Sequence, residues 1–400
     1  MTHLATAAVR SGIETDTQFG AVTPPIYLTS NYSFEGFGKP RQYDYARSGN
    51  PTRSALEQAL TELEHGAGGV VTSSGMSAVS LPLQLLQPGD LLIAPHDCYG
   101  GTYRLFTNLA QRGQFELLFV DQTDEQALAT AFDKNPKMLW IETPSNPLLR
   151  VVDVAKLANL AKQYECLTVV DNTFLSPAQQ LPLELGADVV VHSTTKYING
   201  HSDVVGGAVV AKDSQIAEKL AWWGNCLGIT GAPFDSFLTL RGLRTLPVRI
   251  KQHQENANQI VEFLASHSGI KKVYYPGLPS HPNHQIAKQQ QSGFGAIVSF
   301  ELDESRYNIV TFLENLQLFS LAESLGGVES LICHPATMTH AAMDEPAQLR
   351  AGITRSLIRV SVGIELVDDL LDDLRRCLKL AALTDNTATS QVEETSCEPC

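Results

Sequence analysis

The sequence predicts an α/β protein built on a mostly parallel sheet, followed by a smaller α+β region. Three observations carry that expectation. Short runs rich in valine, isoleucine and leucine alternate with longer helical patterns from about Gly68 to Lys212. Several of those runs are apolar on both faces, as strands covered by helices on each side must be. Beyond Lys212 the alternation stops, and long helical stretches give way to short strands mixed with helices.

Taken in order, the strand candidates are "GVVTSS", "LLIAP", "ELLFVD", "MLWIETP", "LTVVDN", "DVVVHS" and "GGAVVAK". Asn50 and Pro51 supply a cap and a first-turn proline for a helix through His65. Thr123 with Gln126 fits a capping box before "ALATAF". Strand–helix–strand repetition implies parallel strands joined by crossover helices. Past Lys212, "AWWGNCLG" and "DSFLTLRGLRTL" read as helical. Pro247 should kink or divide that region, and the pattern resumes through Ala265. From Gly269 onward "GAIVSFEL" and "SLIRVSVGI" read as strands. The last helix, "LVDDLLDDLRRCLKLAAL", repeats Leu366, Leu370, Leu374 and Leu378 at fourfold spacing, an apolar stripe.

Composition narrows the function. With 400 residues, 43% of them apolar, the chain has ample core. A formal net charge of −14 argues against nucleic acid and anionic membrane surfaces, because no positive field attracts phosphate. A local basic pocket for a small anion stays open. No run of eighteen apolar residues occurs, and "MTHLATAAVRSGIETDTQFG" lacks the apolar centre of a signal peptide. Seven scattered cysteines suit free thiols in a reducing cytoplasm. "CEPC" at the C-terminus has no second ligand pair nearby, and His281 and His284 of "HPNH" sit in a proline-marked stretch read as surface. No metal site is expected.

Ligands of open α/β sheets collect at the carboxyl ends of strands. "VVTSSGMSA" runs from a strand through Gly75 and Met76 into a helix: either a phosphate site at free N–H groups or an ordinary turn. "LLIAPHDCYGGTY" places Tyr99 beside two glycines, as a ring to stack on a flat cofactor or one packed beneath a loop. "LTVVDNTF" puts Asp171 after apolar residues, where a carboxylate needs a cationic partner or several hydrogen bonds. A protonated pyridine nitrogen and a helix cap both meet that need. About 25 residues later, one strand–helix–strand step, Lys196 follows "DVVVHS" amid Ser193, Thr194 and Thr195. A lysine shielded from water is a better amine nucleophile near neutral pH, and Ser193 and Thr195 could hold a phosphate. In "SLIRVSVGIE", alternation sets Arg359, Ser361 and Gly363 against Ile358, Val360 and Val362. Arg359 is then either a bidentate clamp for a carboxylate or an edge-strand surface residue. Together these describe a phosphorylated aromatic aldehyde joined to lysine as a Schiff base, which is how pyridoxal phosphate (PLP) is held.

The segments "DVVVHSTTKYINGHSDVVGG", "YARSGNPTR", "SSGMSA", "HDCYGGTYRLF", "PSNPLLRVVD", "DNTFLSP", "AESLGGVES" and "ATMTHA" resemble the trans-sulfuration, or Cys/Met-metabolism, family of PLP enzymes. The resemblance covers all but the acidic tail. It implies the PLP-dependent transferase fold type I, aspartate aminotransferase-like, with a seven-stranded sheet. The expected organisation is an N-terminal arm (1–58) contacting a neighbouring subunit, a large PLP-binding domain (59–254), a C-terminal α+β domain (255–383) and a disordered acidic tail (384–400).

The resemblance also implies roles. Lys196 carries the cofactor and moves protons, Asp171 pairs with the pyridinium, and Tyr99 stacks on the ring. Gly75, Met76, Ser193 and Thr195 bind phosphate, joined by Tyr45 and Arg47 from the neighbouring subunit. Arg359, helped by Ser324 and Asn146, holds the substrate α-carboxylate, while Arg104 and Glu323 line the distal pocket and Arg47 and Arg104 meet a second carboxylate. A homotetramer of two catalytic dimers in the cytoplasm follows. The activity implied is γ-replacement: O-succinyl-L-homoserine and L-cysteine give L-cystathionine and succinate, in methionine biosynthesis. Family members that cleave cystathionine or methionine, or sulfhydrylate homoserine esters, share the same machinery. Methionine lyases tend to place a cysteine after the stacking tyrosine, whereas Gly100 and Gly101 follow Tyr99 here.

Overall fold

The computed structural model describes residues 3–341 and 345–383; the acidic tail and its "CEPC" motif lie outside them. All seven apolar runs form strands: β1 Gly68–Thr72, β2 Leu91–Pro95, β3 Glu116–Val120, β4 Met138–Glu142, β5 Leu167–Asp171, β6 Val189–His192 and β7 Gly207–Ala211. They join in one sheet of order β1-β7-β6-β5-β4-β2-β3. The pairings from β3 to β6 are parallel, while β7 runs antiparallel to both of its neighbours. The reversal has a simple cause. No helix separates β6 from β7, so their link stays at one end of the sheet instead of crossing a face. That link carries Lys196.

Helices cover both faces. Leu56 and Leu60 pack with Ile93, Leu139, Ile141, Val170 and Val190 on one side. On the other, Phe106 meets Trp140 edge-on at 5.1 Å, beside Leu92, Val169 and Val209. Each such fully buried side chain is worth about 1.5–3 kcal/mol over an exposed one. Asn50 caps the helix Pro51–Leu63, accepting from the amides of Thr52 and Arg53. The second cap differs from expectation. Asp124, not Thr123, caps Glu125–Phe132, because Asp121 already takes both the amide and the hydroxyl of Thr123.

A second sheet comprises β8 Ile270–Tyr274, β9 Ile297–Leu302, β10 Ser320–Leu321, β11 Leu331–Cys333 and β12 Leu357–Ser361, in the order β10-β11-β12-β9-β8. Only its β10–β11 pair is parallel. Ile358, Val360 and Val362 face a core with Phe300, Phe312, Leu370, Leu374 and Leu378. Leu366 does not join that stripe: it precedes the helix Val367–Ala381 and is exposed. Pro247 lies in the first turn of Leu246–Ser266, so the chain breaks just before it, after Pro233–Leu243. The helix Leu246–Ser266 runs unbroken past residue 254. It buries Leu246 and Ile250 in the first core and Ala257, Ile260, Val261 and Leu264 in the second. We propose that the two units meet within it.

Residues 11–50 form no helix and only isolated bridges such as Asn31–Tyr45. His281 and His284 are not simple surface residues: both are half-buried, bonded to the carbonyls of Leu149 and Pro276. Among the described residues there is no cluster of metal-ligating side chains, and no helix is long and apolar enough to cross a membrane. Cys98, Cys166, Cys226, Cys333 and Cys377 are free thiols.

Candidate active site

The loops after β1, β2, β4, β5 and β6 leave the same edge of the first sheet and meet β12 and the segment before β11. They enclose a cleft of about 480 Å³. Gly75, Met76, Tyr99, Arg104, Asn146, Asp171, Ser193, Thr195, Lys196, Glu323, Ser324 and Arg359 all line it. Tyr45 and Arg47 do not. Arg47 instead donates to the carbonyl and side chain of Asn225, with its guanidinium 5.6 Å from the Tyr45 ring centre. A larger groove of about 800 Å³, beside β8 and residues 280–283, contains none of these groups.

Lys196 sits in the turn that follows β6, and its ε-amine donates to Ser324 Oγ at 2.7 Å. Burial, then the Arg359 charge, lowers its pKa to about 8, against the pull of Glu323. Much of the amine is therefore neutral just above neutral pH. Arg359 is buried in a central strand, which rules out the edge-strand reading. Its Nη1 donates to Asn146 Oδ1 at 2.9 Å and its Nη2 to the Ser324 carbonyl at 2.8 Å. Its Nε is buried with no partner among the described residues.

Asp171 ends β5 and accepts from the Thr173 amide at 3.0 Å. Burial raises its pKa, opposed by the Thr173 hydrogen bonds and by the charge of His192. No lysine, arginine or histidine forms an ion pair with it among the described residues. Beside it in register stands Glu142 of β4. Burial, then the Asp171 charge, pushes Glu142 well above the usual carboxylate range.

These groups fit PLP. The first-turn amides of Gly75 and Met76 have no intrahelical carbonyl to meet. A side chain at position 75 would strike Ser193 at 2.7 Å, so glycine lets the loops after β1 and β6 touch. A carboxylate with no cationic partner among the described residues, an exposed tyrosine ring and an amine with one hydroxyl partner complete the match.

Comparison with known proteins decides the family. A family model described as "Cys/Met metabolism PLP-dependent enzyme" matches residues 5–379. The chain belongs to this family of PLP-dependent enzymes. It is 57% identical to the cystathionine gamma-synthase of Escherichia coli (strain K12) over 94% of this chain and 98% of that one. It is 49% identical, over the same shares, to a cystathionine beta-lyase of Coxiella burnetii. Among solved structures, cystathionine gamma synthase from Xanthomonas oryzae pv. oryzae, in complex with aminoacrylate and cysteine, superposes with a TM-score of 0.93 at 59% identity. That match covers 95% of this chain and 98% of the other. The fold is thus the PLP-dependent transferase fold, and the cofactor of this Cys/Met-metabolism enzyme is pyridoxal 5′-phosphate. Sequence reasoning missed Glu142 and Thr173, which also line the cleft. The signal was present for Glu142: "MLWIE" ends an apolar strand in a carboxylate just as "LTVVD" does.

Proposed function

We propose that this enzyme is a cystathionine γ-synthase, joining O-succinyl-L-homoserine and L-cysteine into L-cystathionine with release of succinate. The observation that carries the reading is a pair of guanidinium groups in one cleft, Arg359 buried and Arg104 at the exposed rim. A substrate with an α-carboxylate and a second, distal carboxylate meets both. The similarity to synthases supports the direction of reaction.

Lys196 would hold PLP through its ε-nitrogen, Asp171 would face the ring nitrogen, and Tyr99 would cover the ring. Gly75, Met76, Ser193 and Thr195 would bind the phosphate, with Tyr45 and Arg47 arriving from a neighbouring subunit. Bound there, the group supplies an electron sink that acidifies the α- and β-hydrogens of an amino acid. Once the substrate amine has displaced it from the cofactor, the freed Lys196 amine would accept the α-proton and return protons later, a task suited to a group poised near pH 8. Arg359, aligned by Asn146 and the Ser324 carbonyl, clamps the α-carboxylate. Arg104 and Glu323, which both line the cleft, would sort the distal end. The Cγ–O bond breaks, succinate leaves with its electron pair, and cysteine sulfur, its proton shed, bonds to Cγ.

The arm exposes Phe19, Val22, Leu28, Phe34 and Phe37. Such apolar surface supports burial of the arm against another subunit, and the assembly we propose is a homotetramer built from catalytic dimers. A cytoplasmic location accords with the free thiols. Kinetics with succinyl, acetyl and phosphoryl esters of homoserine, with and without cysteine, test the assignment. Cystathionine formation from the succinyl ester should exceed cystathionine cleavage. Faster cleavage than formation would make the enzyme a lyase of the same family.

A further inference from the structure

Glu142 has no part in the chemistry above, yet it is buried and lines the cleft. Its Oε2 accepts from the Tyr99 amide at 2.8 Å, and its Oε1 accepts from the Asn146 amide at 3.3 Å. The first partner bears the ring platform, and the second orients the Arg359 guanidinium. A second tie joins the same loops: Asp97 takes the Ser145 hydroxyl at 2.7 Å and Arg150 at 3.1 Å. It holds neither of the two amides that Glu142 holds.

The position is a costly one for an ordinary acceptor. Glu142 and Asp171 are direct cross-strand neighbours, and like charges so placed repel. A side-chain amide would avoid that repulsion but offers one acceptor oxygen, where the two amides here meet two. The Tyr99 ring rests over Gly101, where a methyl group would approach it to 2.5 Å. The ring moves with the backbone at residue 99, whose amide Glu142 holds.

We propose that Glu142 is a positioning residue that fixes the Tyr99 platform and the Asn146–Arg359 clamp relative to one another, so that one side chain registers cofactor ring and substrate carboxylate. The inference rests on the reading of the cleft as the PLP and amino-acid site.

Glu142→Gln and Glu142→Ala test it in the PLP-loaded enzyme. The readouts are the visible circular dichroism band of the cofactor and the dissociation constant for glycine, followed by cofactor absorbance. Glycine has no γ-leaving group, so the outcome does not depend on synthase or lyase activity. Expected is a weakened, shifted band together with glycine binding weaker by about tenfold, as for loss of one buried hydrogen bond. An unchanged far-UV spectrum should accompany both. A variant that loses thermal stability alone, with band and glycine affinity intact, overturns the proposal. Failure of the wild type to bind glycine overturns the site reading and this inference with it. Should neither variant fold, amide exchange in the wild-type holoenzyme decides. Protection of the Tyr99 and Asn146 amides comparable to strand amides supports the role; exchange at the rate of an open loop refutes it.

Discussion

Lys196 and Ser324 touch across 128 residues of sequence, the ε-amine donating to the hydroxyl at 2.7 Å. Ser324 sits at φ +90°, a region that L-residues avoid, and such a conformation costs about 1–3 kcal/mol. The strain holds two contacts at once, since the carbonyl of the same residue accepts from Arg359. Ser324→Ala should separate them. The hydroxyl that aims the amine is lost while the carbonyl that aims the clamp stays. Steady-state kinetics should show kcat lower by about tenfold with KM nearly unchanged, as for one lost aiming hydrogen bond. A normal kcat would deny the hydroxyl any part in placing Lys196.

The lowered pKa of Lys196 predicts the pH dependence of cofactor uptake. The neutral amine attacks an aldehyde, and here it reaches half its population near pH 8, not near the ordinary 10.5. Cofactor-free protein mixed with pyridoxal phosphate should gain visible absorbance faster as pH rises through about 8, then level off above about 9. A rate still climbing at higher pH would mean that the amine is not shielded.

Asp171 should trade stability for function. Its folded pKa is raised above 3.8, so without a cationic partner its anion disfavours folding. That penalty grows as pH rises from 3.8 through the folded value and is fully present above it. In cofactor-free protein near neutral pH, Asp171→Asn should therefore raise the melting temperature by a few degrees. The gain should shrink as pH falls toward 3.8. In loaded enzyme the same change should cut kcat by about 100-fold or more, as for loss of a preorganised charge at the reacting centre. A cofactor-free variant that melts below wild type at neutral pH would contradict this account.

The two halves of the molecule differ in how openly the sequence displays them. The first sheet is legible because its strands are apolar on both faces and end abruptly in Asp171 or in the Lys196 turn, where polarity has no packing explanation. Arg359 was visible only as one face of an alternating run. Its central position depends on β9 and β11 flanking β12, which pairing and not periodicity decides. The carboxylate ending "MLWIE" marks Glu142 in the sequence, but its contacts with the backbone amides of residues 99 and 146 do not show there, because no side-chain pattern reports them. The Thr123 cap failed by one residue through local competition: Asp121 captured the hydroxyl first. Leu366 failed because a fourfold repeat continues one turn beyond the helix that it describes.

The arm offers a prediction that needs two variants at once. Arg47 lies outside its own chain's cleft, held at Asn225, while buried Arg53 binds the carbonyls of Ala46 and Arg47 and fixes the backbone there. A guanidinium presented in this way serves another copy's phosphate, by the assignment proposed above. Lys196→Ala and Arg47→Ala should each be nearly inactive alone. In a mixed dimer, one site then combines the Lys196→Ala defect with the arm of the Arg47→Ala chain, and the other site combines two sound halves. Refolding equal amounts together should therefore restore about a quarter of wild-type activity, since random pairing makes half the dimers mixed and each has one sound site. Mixing without refolding should restore less, in step with subunit exchange. If activity stays at the level of the two separate variants, each site draws all its groups from a single chain, and the arm serves some other purpose.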